Sequence, residues 1–346
     1  PCRSISGFWT NNYHMSTFDK ETRRNEFFEA RDGELDRLID PETGFVRSEL
    51  TEEIPCRLCG TRDYRALFVK NGFRFVRCAR CALVYVNPQL KESAILKYYS
   101  DELPSNNRAL EFLASARQQE VDKKLYEEIF ARIPPHLQRG RVLDIGCSFG
   151  LFLKTAKDRG YDVEGLELNE KAGRMAEEKF GIRVQPRLLE DCRFPDQHFD
   201  IVSMFGVIEH LPKPVEVIRE VHRILKPGGM FIGRCPNVAS LVCMILRGEA
   251  RTFTGRVHLS YFSEKTLHEL LEKRIGFREV AIETFVSGRD SLLNYFQFLD
   301  PFGDETLEYL PERFQEFLRD PEKAGALERA LEDLGLGYKL KFFAVK

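Results

Sequence analysis

The sequence predicts an α/β fold: a largely parallel sheet flanked by helices, with a small cysteine-built module ahead of it and a helical insertion before its last strand. Three observations carry this. Over 141–154, RVLDIGCSFGLFLK, an apolar run ends in an acid, turns through Gly146 and Gly150 and re-enters an apolar helical pattern. That is the first strand, tight turn and first helix of a nucleotide-binding sheet. A second strand pattern at 163–170, VEGLELNE, places Glu167 23 residues after Asp144. Upstream, two CxxC pairs stand 18 residues apart, a spacing that suits a zinc ribbon.

At 346 residues, 43 % of them hydrophobic, the chain is long enough for more than one unit. The expected division is an N-terminal extension over 1–50, a cysteine module over 51–100 and an α/β domain over 101–346. Residues 1–14 show no periodicity and stand outside the fold reasoning; 16–54 are charged, with only partial periodicity and no assignable chemistry. A net charge of −2 and a pI near 6.5 lack the basic footprint of a generic nucleic-acid binder. No apolar run approaches a membrane span and no signal-peptide pattern is present, so the cytoplasm is the expected location.

Taken in order, the module comes first. Cys56 and Cys59 in CRLCG and Cys78 and Cys81 in CARCA supply four thiolates. Each pair suits a turn between short strands, and together they close a tetrahedron around zinc. A closed four-thiolate site has no open position for water or substrate, so the zinc is expected to be structural. The segment between, YRALFVKNGFRFVR, alternates apolar and basic residues as short strands do and leads to LVYVNP. Over 50–100, nine Lys and Arg face four acids. Four thiolates around a divalent zinc remove two more charges, leaving about +3, a modest excess that suits a solvated face, or a phosphate on RNA or on an activated sugar.

Next, 106–133 has apolar positions at helical spacing and stops at Pro134 and Pro135, predicting one long helix that leads into the first sheet strand. Tyr98 and Tyr99 just before it could line a pocket or pack the module against the core. The turn at 144–150 then lacks two of the three glycines with which a dinucleotide site closes on a pyrophosphate, since Ser148 and Leu151 stand in their places. A ligand with an adenosine half and no phosphate suits such a turn, and S-adenosylmethionine is the common one. Glu167 falls where an acid accepts both ribose hydroxyls; alone it could equally be a strand-end acid capping the next helix.

With FDIVSMFGVIEHL at 199–211 and LKPGG at 225–229 added to VLDIGCSFG and GLELN, the chain over roughly 108–285 resembles class I S-adenosylmethionine-dependent methyltransferases. The resemblance implies a seven-stranded Rossmann-like sheet with one antiparallel edge strand and the cofactor across the carboxyl ends of strands one and two. It implies Asp144, Gly146, Cys147 and Gly150 around the methionine moiety and Glu167 on ribose. It further implies Leu168 against adenine, Asp191 and the Cys192 backbone at the adenine edge, and Phe205 near the methionine part. Where such proteins often carry an acid, this one has Gly206, so a substrate contact made by that acid is absent. The module resembles the CxxCG, CxxC, LVYVNP-like segment that precedes the cofactor fold in many bacterial methyltransferases of sugars, glycans or secondary metabolites, over about 55–100. Sugar C-methyltransferases usually separate the cysteine pairs more widely. An rRNA guanine methyltransferase family with a zinc module includes histidine among its ligands, and none falls in this segment.

Transfer from a sulfonium needs acceptor, methyl and sulfur held in line with water excluded, and a base only for a hydroxyl or an acidic carbon. The candidate bases are His210, after Glu209 at the end of strand four, and His258 and Tyr261 in HLSYF. Glu209 and His210 could instead hold a divalent ion, though nothing in the spacing completes such a site. Beyond them, 263–277 reads as a helix with Ser263 as N-cap and Gly276 near its end, followed by a strand over 278–285 and a final strand within 337–346. The insertions at about 237–256 and 287–336 are expected to build the acceptor pocket, with Tyr295, Phe296, Phe298 and Phe302 stacking an acceptor ring or packing on the core. The reading is a methyltransferase acting at oxygen on a small-molecule or saccharide acceptor. Its rivals are RNA methylation and a non-catalytic zinc scaffold that keeps the fold. Oligomeric state is not legible.

Overall fold

The computed structural model describes residues 21–98, 103–286 and 311–346. In the module, β1 (Thr51–Glu52) pairs antiparallel with β5 (Gln89–Leu90), and β2 (Tyr64–Lys70) forms a hairpin with β3 (Phe73–Cys78), beside which lies β4 (Val84–Val86). The hairpin turns on Asn71 and Gly72, both in the left-handed region at φ 51° and 74°. Asn-Gly is the pair that tolerates this, and such a turn matches the twist of the flanking strands. β3 and β4 bury Phe73, Phe75, Val76 and Tyr85.

The main sheet runs β6 (Arg141–Ile145), β7 (Asp162–Leu166), β8 (Arg183–Gln185), β9 (Phe199–Phe205) and β10 (Leu225–Pro236). After the two-residue β11 (Ser260–Tyr261) come β12 (Arg278–Phe285) and β13 (Lys339–Val345). Seven strands stand in the order β12-β13-β10-β9-β6-β7-β8. Its central strands bury both faces, with Val142, Leu143, Ile201, Val202, Phe231 and Ile232 all inaccessible, as a parallel sheet covered by helices requires. The antiparallel strand is β13, which pairs with β10 on one side and β12 on the other. The expectation of an antiparallel edge strand is therefore corrected: β12 takes the edge, and the returning chain inserts between it and β10.

The chain leaves β6 toward β7 and β8 on one side and returns to β9 and β10 on the other. This reversal opens a crevice at the carboxyl ends of β6 and its neighbours, where ligands bind in open α/β sheets. Over it lies the segment expected as one helix, which is in fact two, Pro104–Leu113 and Ala116–Ala131. Ser115 sits extended between them and its hydroxyl accepts from the Gln118 amide at 3.4 Å, starting a new helix. The Ser263 capping box and the left-handed Gly276 bound the next predicted helix as expected, although its second half is a π-helix, Glu269–Ile275.

The boundary drawn at residue 100 is not a divide in packing. β11 pairs with β4 and completes the module's sheet. The module residues Ile54, Cys56, Leu58, Val76 and Tyr85 share one apolar cluster with Leu143, Val202 and Phe231 of the main sheet. The insertion at 237–256 packs on the module, with Cys243, Ala250 and Phe253 against Phe73 and Phe75. Between β12 and β13 lie helices Glu312–Arg319 and Pro321–Asp333, the second capped by Asp320. Tyr295, Phe296, Phe298, Phe302, Tyr99 and the Tyr98 side chain lie outside the described residues. Among the described residues, no helix is long and apolar enough to cross a membrane.

Candidate functional site

The loop after β6 is built by its glycines and by β7. Gly146 adopts φ +73° and Gly150 φ +82°, and a Cβ on Gly146 would lie 2.5 Å from the Val207 side chain. The amides of Gly146 and Cys147 both donate to the Leu166 carbonyl, at 2.7 and 3.0 Å, which folds the loop back over the end of β7. Ser148, at φ 50°, is a non-glycine residue in the left-handed region, a conformation that costs about 1–2 kcal/mol. Its amide donates to Glu167 Oε2 at 2.9 Å, while Glu167 Oε1 accepts from the Asn169 amide at 2.8 Å. Glu167 therefore does more than end a strand: its carboxylate is oriented by both neighbours and fixes the loop's third residue.

Asp144 closes the floor. It is buried and accepts from the Ser203 hydroxyl at 2.7 Å. Burial pushes its carboxyl up to about 7, with the Ser203 bond opposing and the charge of Glu167 adding to the shift. Asp144, Gly146, Cys147 and Phe205 line one cleft together with Ser148 and Leu151. Gly150 caps the following helix, and a Cβ there would meet the Ala176 side chain at 3.0 Å. Leu168 follows Glu167 directly, and Asp191 and Cys192 occupy the short helix Leu189–Cys192 beyond the carboxyl end of β8, the strand beside β7.

Sequence reasoning did not single out Asp122, Tyr126 and Arg234, which also line the cleft. Arg234 pairs with Asp122 at 3.3 Å, and Asp122 also accepts from Gln118 at 2.8 Å. Tyr126 packs against Phe152 and Phe205, which also touch each other. A signal was present. Asp122 stands in phase with the buried Tyr126, Ile129 and Phe130 on its helix, and Arg234 interrupts the apolar run at 230–236.

A second group gathers at the end of β9. The strand stops at Phe205, one turn before the position expected for His210. Gly206, at φ +72°, sends the chain into the single turn Ile208–His210, and its missing side chain leaves room 3.8 Å from Glu209 Oε1. His210 Nε2 lies 3.8 Å from that same oxygen, and the His210 and His258 rings meet edge to face at 4.9 Å. Burial holds both imidazoles below their usual value, His258 down to about 4, and the same effect pushes Glu209 up to about 7. His258 is carried in by β11, and the Glu209 carbonyl accepts from the Leu259 amide at 2.8 Å. Tyr261 is committed elsewhere: its hydroxyl donates to the His258 carbonyl at 2.8 Å and accepts from the Gly255 amide at 3.2 Å, and its ring packs on Phe75 and Phe253.

In the module, the Sγ atoms of Cys56 and Cys81 lie 3.5 Å apart and those of Cys59 and Cys78 3.4 Å apart, with all four within 4.8 Å. Tetrahedral zinc with bonds of about 2.3 Å separates its sulfurs by about 3.8 Å. The amides of Arg80 and Cys81 both point at Cys78 Sγ at 3.4 Å, as donors that stabilise a thiolate. The cluster therefore fits a zinc ion.

Residues 114–282 match the family model described as a methyltransferase domain. The chain is 34 % identical over 95 residues to the ubiquinone biosynthesis O-methyltransferase of Pseudomonas aeruginosa, a stretch covering 26 % of this chain and 41 % of that one. It thus spans about two fifths of the length of that curated relative. An uncharacterized protein of Methanocaldococcus jannaschii is 26 % identical over 157 residues, 45 % of this chain and 73 % of its own. Among solved structures, a SAM-dependent methyltransferase from Archaeoglobus fulgidus aligns with 66 % of this chain and 94 % of its own at 25 % identity and a TM-score of 0.46. Phosphoethanolamine N-methyltransferase 2 of Haemonchus contortus, in complex with S-adenosyl-L-methionine, aligns with 64 % and 52 % at 19 % identity and a TM-score of 0.46. Residues 114–282 of the chain thus carry a methyltransferase domain.

Proposed function

We propose that this protein transfers the methyl group of S-adenosylmethionine to a hydroxyl oxygen of a small-molecule or saccharide acceptor. One constellation carries the reading: the glycine turn after β6, with Ser148 tied to Glu167 at 2.9 Å over the buried Asp144. It lies at the switch point of the sheet and lacks the glycines that a pyrophosphate requires. When bound, S-adenosylmethionine supplies a methyl group already activated on a sulfonium.

The residues divide the remaining work. Glu167 holds the ribose hydroxyls, Leu168 lies against adenine, and Asp191 with the Cys192 backbone meets its edge. Asp144, Gly146, Cys147 and Gly150 surround the methionine moiety. The Asp122 carboxylate and Arg234 guanidinium offer partners of opposite sign to its ammonium and carboxylate. Tyr126, Phe152 and Phe205 exclude water from the methyl, which strengthens every charge interaction inside. Glu209, His210 and His258 form the acceptor pole, and Tyr261 acts through His258 as a positioning residue. Cys56, Cys59, Cys78 and Cys81 hold a structural zinc that needs four reduced thiols, consistent with work in the cytoplasm.

The test is incubation of a small-molecule extract with methyl-labelled S-adenosylmethionine and the purified chain, followed by mass spectrometry. Label in a methyl ether is expected. Label confined to RNA, or none in any acceptor when the cofactor binds, would overturn the proposal.

A further inference from the structure

We infer that Glu209, His210 and His258 bind a divalent transition-metal ion at the acceptor pole, distinct from the zinc of the four cysteines. The sequence supplies two of the ligands side by side, and the fold brings the third from 48 residues further on. It does so by adding β11 to the module's sheet, which carries His258 against the turn after β9. The three ligand atoms all lie within 4.8 Å of one another, with Glu209 Oε1 and His210 Nε2 at 3.8 Å. Metal–ligand bonds of about 2.1 Å place such atoms about 3.0–3.5 Å apart, so a small inward movement closes the set.

Two independent observations point to a ligand here. Glu209 is 5 % exposed, and its Oε2 is buried with no hydrogen-bond partner among the described residues. A buried carboxylate oxygen left unsatisfied is costly, and a cation in contact with the same carboxylate removes that cost. His258 meets the second requirement of a metal-binding imidazole. Its Nδ1 lies 2.8 Å from the Thr252 carbonyl, which makes Nδ1 the protonated nitrogen and leaves Nε2 as the ligand. Arg234, paired with Asp122 at 3.3 Å, and Lys339 act on the Glu209 carboxylate by charge, but neither gives its Oε2 a hydrogen bond.

Two imidazoles and one carboxylate favour zinc, iron(II), cobalt(II) or nickel(II) over magnesium, and leave open positions on the ion. What fills those positions rests on the proposed function. An ion held there would bind the acceptor's hydroxyl oxygen and acidify it, so that its proton could pass to a water on the solvent side of the ion. The acceptor oxygen's electron pair then forms the bond to the methyl carbon as the carbon–sulfur bond breaks, and the bonding pair stays on sulfur. His210 and His258 act as ligands in this arrangement and hold the oxygen in line.

The experiment uses the full chain with its cysteine site loaded with zinc, stripped of weakly held metal and titrated with cobalt(II) chloride. The expected result is one cobalt per chain with weak visible bands of nitrogen and oxygen ligation and no thiolate charge-transfer absorption. His258→Ala and the isosteric Glu209→Gln each weaken that binding at least about tenfold, while S-adenosylhomocysteine binds both variants as it binds the parent. Glu209→Gln carries the test if His258→Ala does not fold. Failure of the parent to take up this cobalt, or equal affinity in the folded variants, overturns the inference and leaves the methyltransferase reading intact. Cobalt uptake without S-adenosylhomocysteine binding overturns that reading and leaves the metal site standing.

Discussion

Replacing Glu167 with alanine removes two things at once. The side chain accepts the Ser148 amide at 2.9 Å and the Asn169 amide at 2.8 Å, so its loss frees the one non-glycine residue of the turn that sits at positive φ, Ser148 at 50°. Water can reach the partly buried amides, which limits the cost to folding to about 1–2 kcal/mol. Cofactor binding loses more. A hydrogen bond to a charged group contributes about 1.5–3 kcal/mol, and the ribose loses its carboxylate while the loop beneath it loosens. A net loss of about 2–3 kcal/mol corresponds to about 30- to 150-fold weaker binding. Glu167→Gln, which keeps one acceptor oxygen and turns a donor toward the other amide, falls between, near tenfold by the same scale. Calorimetric titration with S-adenosylhomocysteine measures both, beside a melting curve that confirms folding. A folded Glu167→Ala protein that binds within threefold of the parent would refute the assignment of Glu167 to the ribose.

Cys78→Ser should abolish the module's zinc by metal analysis. It should also lower the melting temperature by at least about 5 °C, some 2–3 kcal/mol in a chain of this size, because the module shares an apolar cluster with the main sheet; unchanged zinc content and melting would contradict the four-cysteine site. Arg234→Met leaves the buried Asp122 with only its Gln118 hydrogen bond and no opposite charge, and should cost about 3 kcal/mol in urea unfolding. Arg234→Met with Asp122→Leu should recover much of that, and a double variant as unstable as the single one would show that the pair is not what holds this region. His210→Ala should lower turnover by at least about tenfold with cofactor affinity preserved; full activity in the acceptor assay would remove His210 from the acceptor pole.

Local signals were legible because local physics decides them. Strand β12 falls where the alternation in REVAIETF places it, Ser263 caps the helix that its serine announces, and Glu167 follows β7 immediately. The four cysteines, close only in space across the β2–β3 hairpin, were readable because tetrahedral ligation is written into CxxC spacing. Long-range choices were not readable. Which strand of the last pair takes the sheet edge depends on how β13 inserts, and neither strand's pattern records it. The break at Ser115 lies inside a continuous helical period, so periodicity alone runs through it. The Asp122–Arg234 pair joins residues 112 positions apart, and although each stands out in its own apolar pattern, neither pattern names the other as partner. His258 reaches Glu209 only because β11 leaves the main fold to finish the module's sheet, a pairing of two residues too short to carry a pattern.

The central claim is that the loop over 144–150, backed by Glu167, receives an adenosyl ligand without a phosphate. Parallel calorimetric titrations of the parent chain with S-adenosylhomocysteine and with NAD test it most directly. One S-adenosylhomocysteine per chain and no NAD is the predicted result. Preference for NAD, or binding of neither by a folded and zinc-loaded chain, would contradict it.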